Sequence, residues 1–364
     1  MSNEFQINKL NGGGQNHLPW LDAVRFIAAF MVLLSHTRND FFLPYNMLPD
    51  GQQGPLAFLF YFVCRLGHEA VIAFFVISGF LVGGRGLEKI MTNTFNNKSY
   101  IIDRAVRIGI PLVASIIFLF ITCQFIDQRF EWLTAVGNLF SLQGVLCQSL
   151  VSPFWSLSYE VWFYILLLGI SLVASKKRSG LLIVLICCLV FVKLDPQYLL
   201  MWFMGAFAYL CRPTKHNKWI QWGALLMIMA TISLSIVASE SHAISFSWKP
   251  NRDVIVMLLA ASMCLFIQQI ILCQPTGKVS VKVEKAFSYL AGFSYTLYLS
   301  HRITLLLVFK YIYDMNQAQF TLQGIIAYVS ILCMCLVVSW GLYMISERHT
   351  YTVKKKIKSI VAIK

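Results

Sequence analysis

The sequence predicts an all-α, polytopic membrane protein with about ten transmembrane helices and both termini in the cytoplasm. Three observations predict it. Of its 364 residues, 58% are hydrophobic and only 13% charged, against about 25% charged in soluble domains, and mean hydropathy is +0.67. Apolar segments long enough, or nearly long enough, to cross a bilayer recur along the whole chain. Lys and Arg fall unevenly between alternate loops, as positive-inside orientation requires.

In such a chain the net charge of +14 reads as a topology signal and as contact with lipid surfaces, so no nucleic-acid partner is expected. The 10 cysteines contain no CxxC pair. Cys187, Cys188, Cys333 and Cys335 lie in apolar runs, where cysteine behaves as a small hydrophobe. Neither a disulfide framework nor a metal site is expected.

The domain reading has three parts: a polar cytoplasmic segment over 1–19, a membrane domain over 20–345 and a basic cytoplasmic tail over 346–364. The first part lacks the basic, apolar, small-residue order of a cleaved signal, so the first span is expected to be retained.

That first span, 20–37, contains Leu21 to His36, LDAVRFIAAFMVLLSH. Charges are costly at membrane depth, so a functional role is the default for them. Arg25 and His36 are eleven residues apart. On a helix that separation returns to within about 20° of one face, about 16 Å further along the axis. Asp22 and Arg25 can pair at i,i+3. Two readings stand: a salt bridge that orients the helix, or an Arg25 that faces a cavity and binds an anion or polarises a carbonyl. His36 is either an interfacial histidine or a general base or nucleophile.

The apolar piece Pro55 to Cys64 is too short to span and suits the interface. The second span, 66–83, carries His68 and Glu69 at its outer mouth and Ser78 deeper. Its Gly79, Gly83 and Gly84 allow close helix contact, and Ser78 is expected to bond back to its own helix. The third span, 106–124, follows Arg104 and Arg107, which either grip phosphates or simply mark the cytoplasmic side. The fourth, 155–174, opens FWSLSYEVWFY. Glu160 needs a partner at that depth, and His36, His301 and Arg302 are candidates. The fifth and sixth, 181–195 and 197–211, are short and meet at Asp195-Pro196, as in a tight or partly re-entrant hairpin. The seventh and eighth cover 219–238 and 254–273. The ninth, 286–309, reads FSYTLYLSHRITLLL and holds His301 and Arg302 too deep for a loop. After the tenth, 324–345, Glu347 and Arg348 read as a terminal ion pair.

With both termini inside, the outer loops receive only Arg38, Arg65, Arg129, Lys193, Lys249, Arg252 and Lys310, and Arg25 and Arg302 fall within spans. All other Lys and Arg are cytoplasmic. Arg25 then lies in the inner half of the first helix and His36 near its outer end.

Four stretches in order, LDAVRFIAAFMVLLSH, FFVISGF, FWSLSYEVWFY and SYTLYLSH, resemble the membrane-bound acyltransferase family 3, bacterial enzymes that O-acylate cell-surface sugars. The resemblance implies about ten helices in the bacterial inner membrane. It implies an acyl-CoA donor, usually acetyl-CoA, taken from the cytoplasm, and a glycan or lipid-linked glycan acceptor. The family's essential Arg and His map onto Arg25 and His36, and its basic cluster maps onto Arg104 and Arg107. The chain departs from the family pattern at Phe26, where Gly is common, at Asp103, where the first of two arginines is usual, and at Arg302-Ile303 after the ninth-span histidine. The expected catalytic set is His36, Arg25, Glu160 and His301. Arg25, Arg104 and Arg107 are expected to bind the donor, with no metal involved. A proton-coupled carrier of a glycan, lipid or small solute would also use intramembrane Arg, Glu and His, but no transporter-type internal repeat stands out.

Overall fold

The computed structural model describes residues 18–239, 251–273, 278–315 and 318–361. The expected N-terminal segment up to residue 17, the loop at 240–250 and the last three residues of the basic tail lie outside the described residues.

Among the described residues the regular structure is helical, with isolated β-bridges only. Six helical stretches are long and apolar enough to cross a membrane: Pro19–Phe41, Pro55–Met91, Asn97–Phe125, Phe154–Ala174, Arg252–Ile270 and Leu322–Ile360. In chain order the helices are α1 (Pro19–Phe41), α2 (Pro55–Cys64), α3 (Gly67–Ser78), a π-helical turn (Gly79–Gly84), α4 (Arg85–Met91), α5 (Asn97–Phe125), α6 (Trp132–Leu139) and α7 (Phe154–Ala174). They continue as α8 (Arg178–Lys193), α9 (Pro196–Leu210), α10 (Lys218–Ser239), α11 (Arg252–Ile270), α12 (Lys278–Gly292), α13 (Ser294–Tyr311), α14 (Leu322–Ile345) and α15 (Thr350–Ile360).

Two expectations about single spans change. The second span is not one regular helix: α3 passes into the π-helical turn before α4. The ninth is divided at Phe293, where φ is -110° and ψ is 6°, so α12 ends and α13 begins there. Elsewhere the signals act as expected. Pro19 opens α1, where a missing N–H costs nothing, and the Asn96 side chain caps α5 by accepting the Ser99 N–H at 2.9 Å.

Helix α5 shows how the chain treats lipid as its solvent. Val113, Ile117, Ile121 and Phe125, spaced by four, are exposed, whereas Leu112, Ser115, Leu119, Thr122 and Cys123 are buried. The outward face is wholly apolar, whereas the inward face sets Ser115, Thr122 and Cys123 among leucines, unlike a soluble amphipathic helix with its polar face outward.

The chain forms two compact units. One comprises Met1–Arg25, Ile72–Phe95 and Phe163–Tyr289; the other Phe26–Val71, Asn96–Trp162 and Leu290–Lys364. In the first, α9 lies against the π-helical turn at backbone distance. A Cβ on Gly79 would sit 2.0 Å from the Trp202 carbonyl oxygen, and one on Gly205 would sit 2.2 Å from the Val76 carbonyl oxygen. Trp202 and Tyr209 are fully buried there. Gln268 of α11 donates to the Ala208 carbonyl at 2.7 Å, and Gln269 accepts from the Asn217 N–H at 2.8 Å. Both bonds tie α11 to α9 and its following loop.

In the second unit α13 is the central element. Its Ser300 hydroxyl meets Ser339 of α14 at 2.8 Å, and Glu347 after α14 accepts from the Thr296 hydroxyl at 2.6 Å and the Thr296 N–H at 3.1 Å. A carboxylate at a helix start satisfies free N–H groups and complements the dipole. The far end is held by the Leu43 N–H to the Ala318 carbonyl and the Ala318 N–H to the Phe41 carbonyl, each 3.1 Å.

Candidate active site

The best-defined polar constellation lies in the second unit, where α1 meets α13. His36 Nδ1 is 2.8 Å from His301 Nε2, and the two rings stack at 5.2 Å between centroids with 14° between planes. His301 Nδ1 is 2.9 Å from the Leu297 carbonyl oxygen, one turn back on the same helix.

A carbonyl can only accept, so His301 carries its proton on Nδ1. In the neutral pair its Nε2 is then an acceptor and must receive the Nδ1–H of His36. The remaining nitrogen, His36 Nε2, keeps a free lone pair. His301 is fully buried whereas His36 is only partly so. The partly accessible partner keeps the free lone pair, and the buried one fixes its tautomer and ring orientation.

One turn beyond His36, Asp40 pairs with Arg302, the neighbour of His301. Residues 36 and 40 share a face of α1, whereas His301 and Arg302 are consecutive on α13 and diverge by about 100°. Arg302 retains 23% and Asp40 14% side-chain exposure.

A third contact joins α7 to α13. Ser156 Oγ donates to the Pro153 carbonyl at 3.2 Å and accepts from the Tyr298 hydroxyl at 2.6 Å. The Tyr298 ring stands 6.2 Å from the His301 ring, and Glu160, one turn after Ser156, is within electrostatic reach of the Tyr298 hydroxyl. Glu160 is therefore associated with the tyrosine behind the imidazole pair.

Arg25 belongs to the first unit, where its Nη1 lies 3.0 Å from Asp22 Oδ1, the i,i+3 pair that the spacing allows. In the same unit Ser78 Oγ lies 3.5 Å from the Tyr164 hydroxyl. Arg104 and Arg107 stand in the first turns of α5. The preceding residue, Asp103, is held by Lys358 at 2.8 Å and Lys354 at 3.5 Å, both from α15, and Lys358 also reaches the Ser99 hydroxyl at 2.5 Å. Arg107 is within electrostatic reach of Glu347. Glu347 bonds to Thr296, while Arg348 Nη1 lies 3.5 Å from the Met344 sulfur. These contacts replace the expected terminal ion pair.

Sequence reasoning did not single out Tyr298, Ser156 or Asp40. Two of them left a signal: Tyr298 lies three residues before His301 and Asp40 four after His36, each on the face of its histidine. Ser156 left none beyond its motif.

A family model described as an acyltransferase domain matches residues 18–344. No curated protein and no solved structure matches the chain.

Proposed function

The chain belongs to the acyltransferase 3 family and is an acyltransferase, and from that premise we propose which groups it moves and how. The proposed donor is acyl-CoA, acetyl-CoA in the first place, and the proposed acceptor is a hydroxyl of a cell-envelope or exported polysaccharide. The enzyme would sit in the bacterial inner membrane with about ten spans and both termini cytoplasmic, as the loop charges argue.

The observation that carries this reading is the His36–His301 pair. Acyl transfer to an alcohol needs a neutral base within reach of the attacking O–H. His36 Nε2 is that group: a lone pair on a partly accessible imidazole whose other nitrogen is committed to His301 at 2.8 Å. In the proposed step the acceptor oxygen attacks the thioester carbonyl as its proton passes to His36 Nε2. The C–S bond then breaks, the acyl group stays on the acceptor oxygen, and the imidazolium returns the proton to the departing thiolate. Arg25 is assigned to the donor side of α1, where a guanidinium would hold an anionic group or polarise the carbonyl. Arg104 and Arg107 are assigned to the donor phosphates. Tyr298, with Glu160 beside it, backs the imidazole pair.

The same Nε2 could take the acyl group itself before passing it on. The two routes differ in one readout: an acyl-histidine releases one equivalent of CoA in the absence of acceptor, and direct transfer releases none.

The substrate assignment is tested by mass spectrometry of envelope polysaccharides from cells with the wild-type chain, without it, and with His36→Ala inserted at equal level. One acyl group on one glycan should be present only with the wild type. Acylation retained with His36→Ala would sink the base assignment, and an unchanged glycan profile without the chain would sink the acceptor class.

A further inference from the structure

A second polar cluster, in the first unit, is used by none of the steps above. It lies where the π-helical turn passes into α4. Glu88 is engaged through both oxygens: its Oε1 accepts from Arg212 Nη2 at 2.8 Å and its Oε2 from the Tyr209 hydroxyl at 2.9 Å. Arg212 is also fixed, with Nη1 donating to the Tyr209 carbonyl at 2.9 Å and its guanidinium 4.1 Å over the Tyr209 ring. Arg85, three residues before Glu88 and on the same helix face, shares this environment. Both oxygens of that carboxylate already accept a hydrogen bond, and neither accepts one from Arg85 Nε or Nη2.

Arg85 Nε and Nη2 are both buried and make no hydrogen bond. These two nitrogens are the two donors on one edge of the guanidinium. That edge delivers two parallel N–H bonds to a carboxylate or phosphate. A buried donor without an acceptor is rare because it is costly. Here two occur together, on the edge shaped for an oxyanion, in a cluster with two arginines and one carboxylate. The π-helical turn that sets the position of Arg85 is buried against α9, and such turns recur at functional sites.

We propose that the Nε/Nη2 edge of Arg85 is a bidentate receptor for a phosphate group. The surplus positive charge favours a phosphate over the weaker charge of a carboxylate. Two sources share the chemistry: a phosphate of the acyl donor, which rests on the acyl-CoA reading above, and the headgroup of an anionic lipid. In either case the phosphate completes the hydrogen bonding of Arg85 and draws α4, with its Glu88–Arg212–Tyr209 cluster, against the ligand.

The test uses the full chain in nanodiscs of phosphatidylcholine, with or without phosphatidylglycerol. Arg85→Gln and Arg85→Lys keep the side-chain stem, and Arg129→Ala, 90% exposed, is the control. CoA binding is read by calorimetry, lipid response by the shift in Tm, and turnover by release of free CoA from acetyl-CoA with envelope polysaccharide supplied as acceptor. If the donor supplies the phosphate, Kd for CoA rises about tenfold or more in both Arg85 variants, the loss of a charged hydrogen-bond pair, and is unchanged in Arg129→Ala. If the lipid supplies it, CoA binding is unchanged, and the Tm gain given by phosphatidylglycerol disappears in both variants. Equal CoA binding and equal lipid response in wild type and variants overturn the proposal, as does a wild type that responds to neither. Absence of acetyl-CoA turnover in the wild type overturns the acyl-CoA reading alone, because the lipid response still decides Arg85. Normal turnover with unchanged responses in the variants overturns the Arg85 site alone.

Discussion

At the residue scale, the partner of His36 is another imidazole, and that choice has consequences. A carboxylate partner would stabilise the protonated base with a full countercharge. Neutral His301, donating its own proton to the Leu297 carbonyl at 2.9 Å, offers only a lone pair. In the proposed step the proton taken from the acceptor would therefore be held weakly and passed readily to the leaving thiolate. In the proposed step His301 acts through His36 as a positioning residue, so its removal should lower kcat while leaving KM for the donor nearly unchanged. His301→Gln, which keeps an acceptor of similar reach, should retain more activity than His301→Ala. Equal loss in the two, or a change confined to KM, would remove the tautomer argument. The neighbouring Asp40–Arg302 pair has a structural consequence. Removing one member of a buried ion pair costs about 3–5 kcal/mol, and the remaining exposure of 23% and 14% lowers that figure. Asp40→Ala should therefore lower Tm clearly, and Arg302→Leu in the same chain should recover part of the loss. No recovery in a double-mutant cycle would show that the pair is not the coupled unit described.

At the element scale, the boundaries that the sequence predicted poorly are those set by tertiary contacts. The apolar run of the first span ends at Thr37, but helix α1 does not. It runs to Phe41 because Asp40 meets Arg302. The division at Phe293 follows Gly292, a helix-stop residue, yet the carboxylate that caps the new helix comes from Glu347, distant in sequence. The π-helical turn had no local signal beyond its glycines, since what imposes it is the backbone of α9. Gly79→Ala is expected to fail: a methyl 2.0 Å from the Trp202 carbonyl oxygen cannot be relieved by a rotamer change. The cost should exceed the about 1–3 kcal/mol of ordinary overpacking, read as lost folded yield in detergent. Normal yield and Tm would mean that α9 stands off from the turn. The basic tail shows a gentler coupling. Asp103, at a position the family usually fills with arginine, anchors Lys354 and Lys358 of α15. Because such pairs contribute about 0–1 kcal/mol, Asp103→Asn should leave global Tm unchanged and speed tryptic cleavage within α15. Unchanged cleavage would show that the lysines do not hold the helix.

At the scale of the whole molecule, composition, periodicity and loop charge were enough to read an all-α protein with several membrane-crossing helices, because lipid imposes that pattern on every span independently. The histidine pair was legible only in part. Depth placed His36, Glu160 and His301 at similar levels, but depth does not choose partners. Helix rotation does, and rotation is set by packing. The proposed orientation has its own test: cytoplasmic reporters fused after Lys364 should be active, and reporters inserted near Arg129 should not. The reverse pattern would place His36 on the donor side of the membrane and undo the assignment of Arg25. The most direct measurement is acceptor-dependent release of free CoA from acetyl-CoA by the purified chain in lipid bilayers, with wild type and His36→Ala compared at equal insertion. A general base contributes about 10²–10⁴-fold, so release by the variant should fall by that factor. Release at the wild-type rate by His36→Ala would contradict the assignment of His36 as the base.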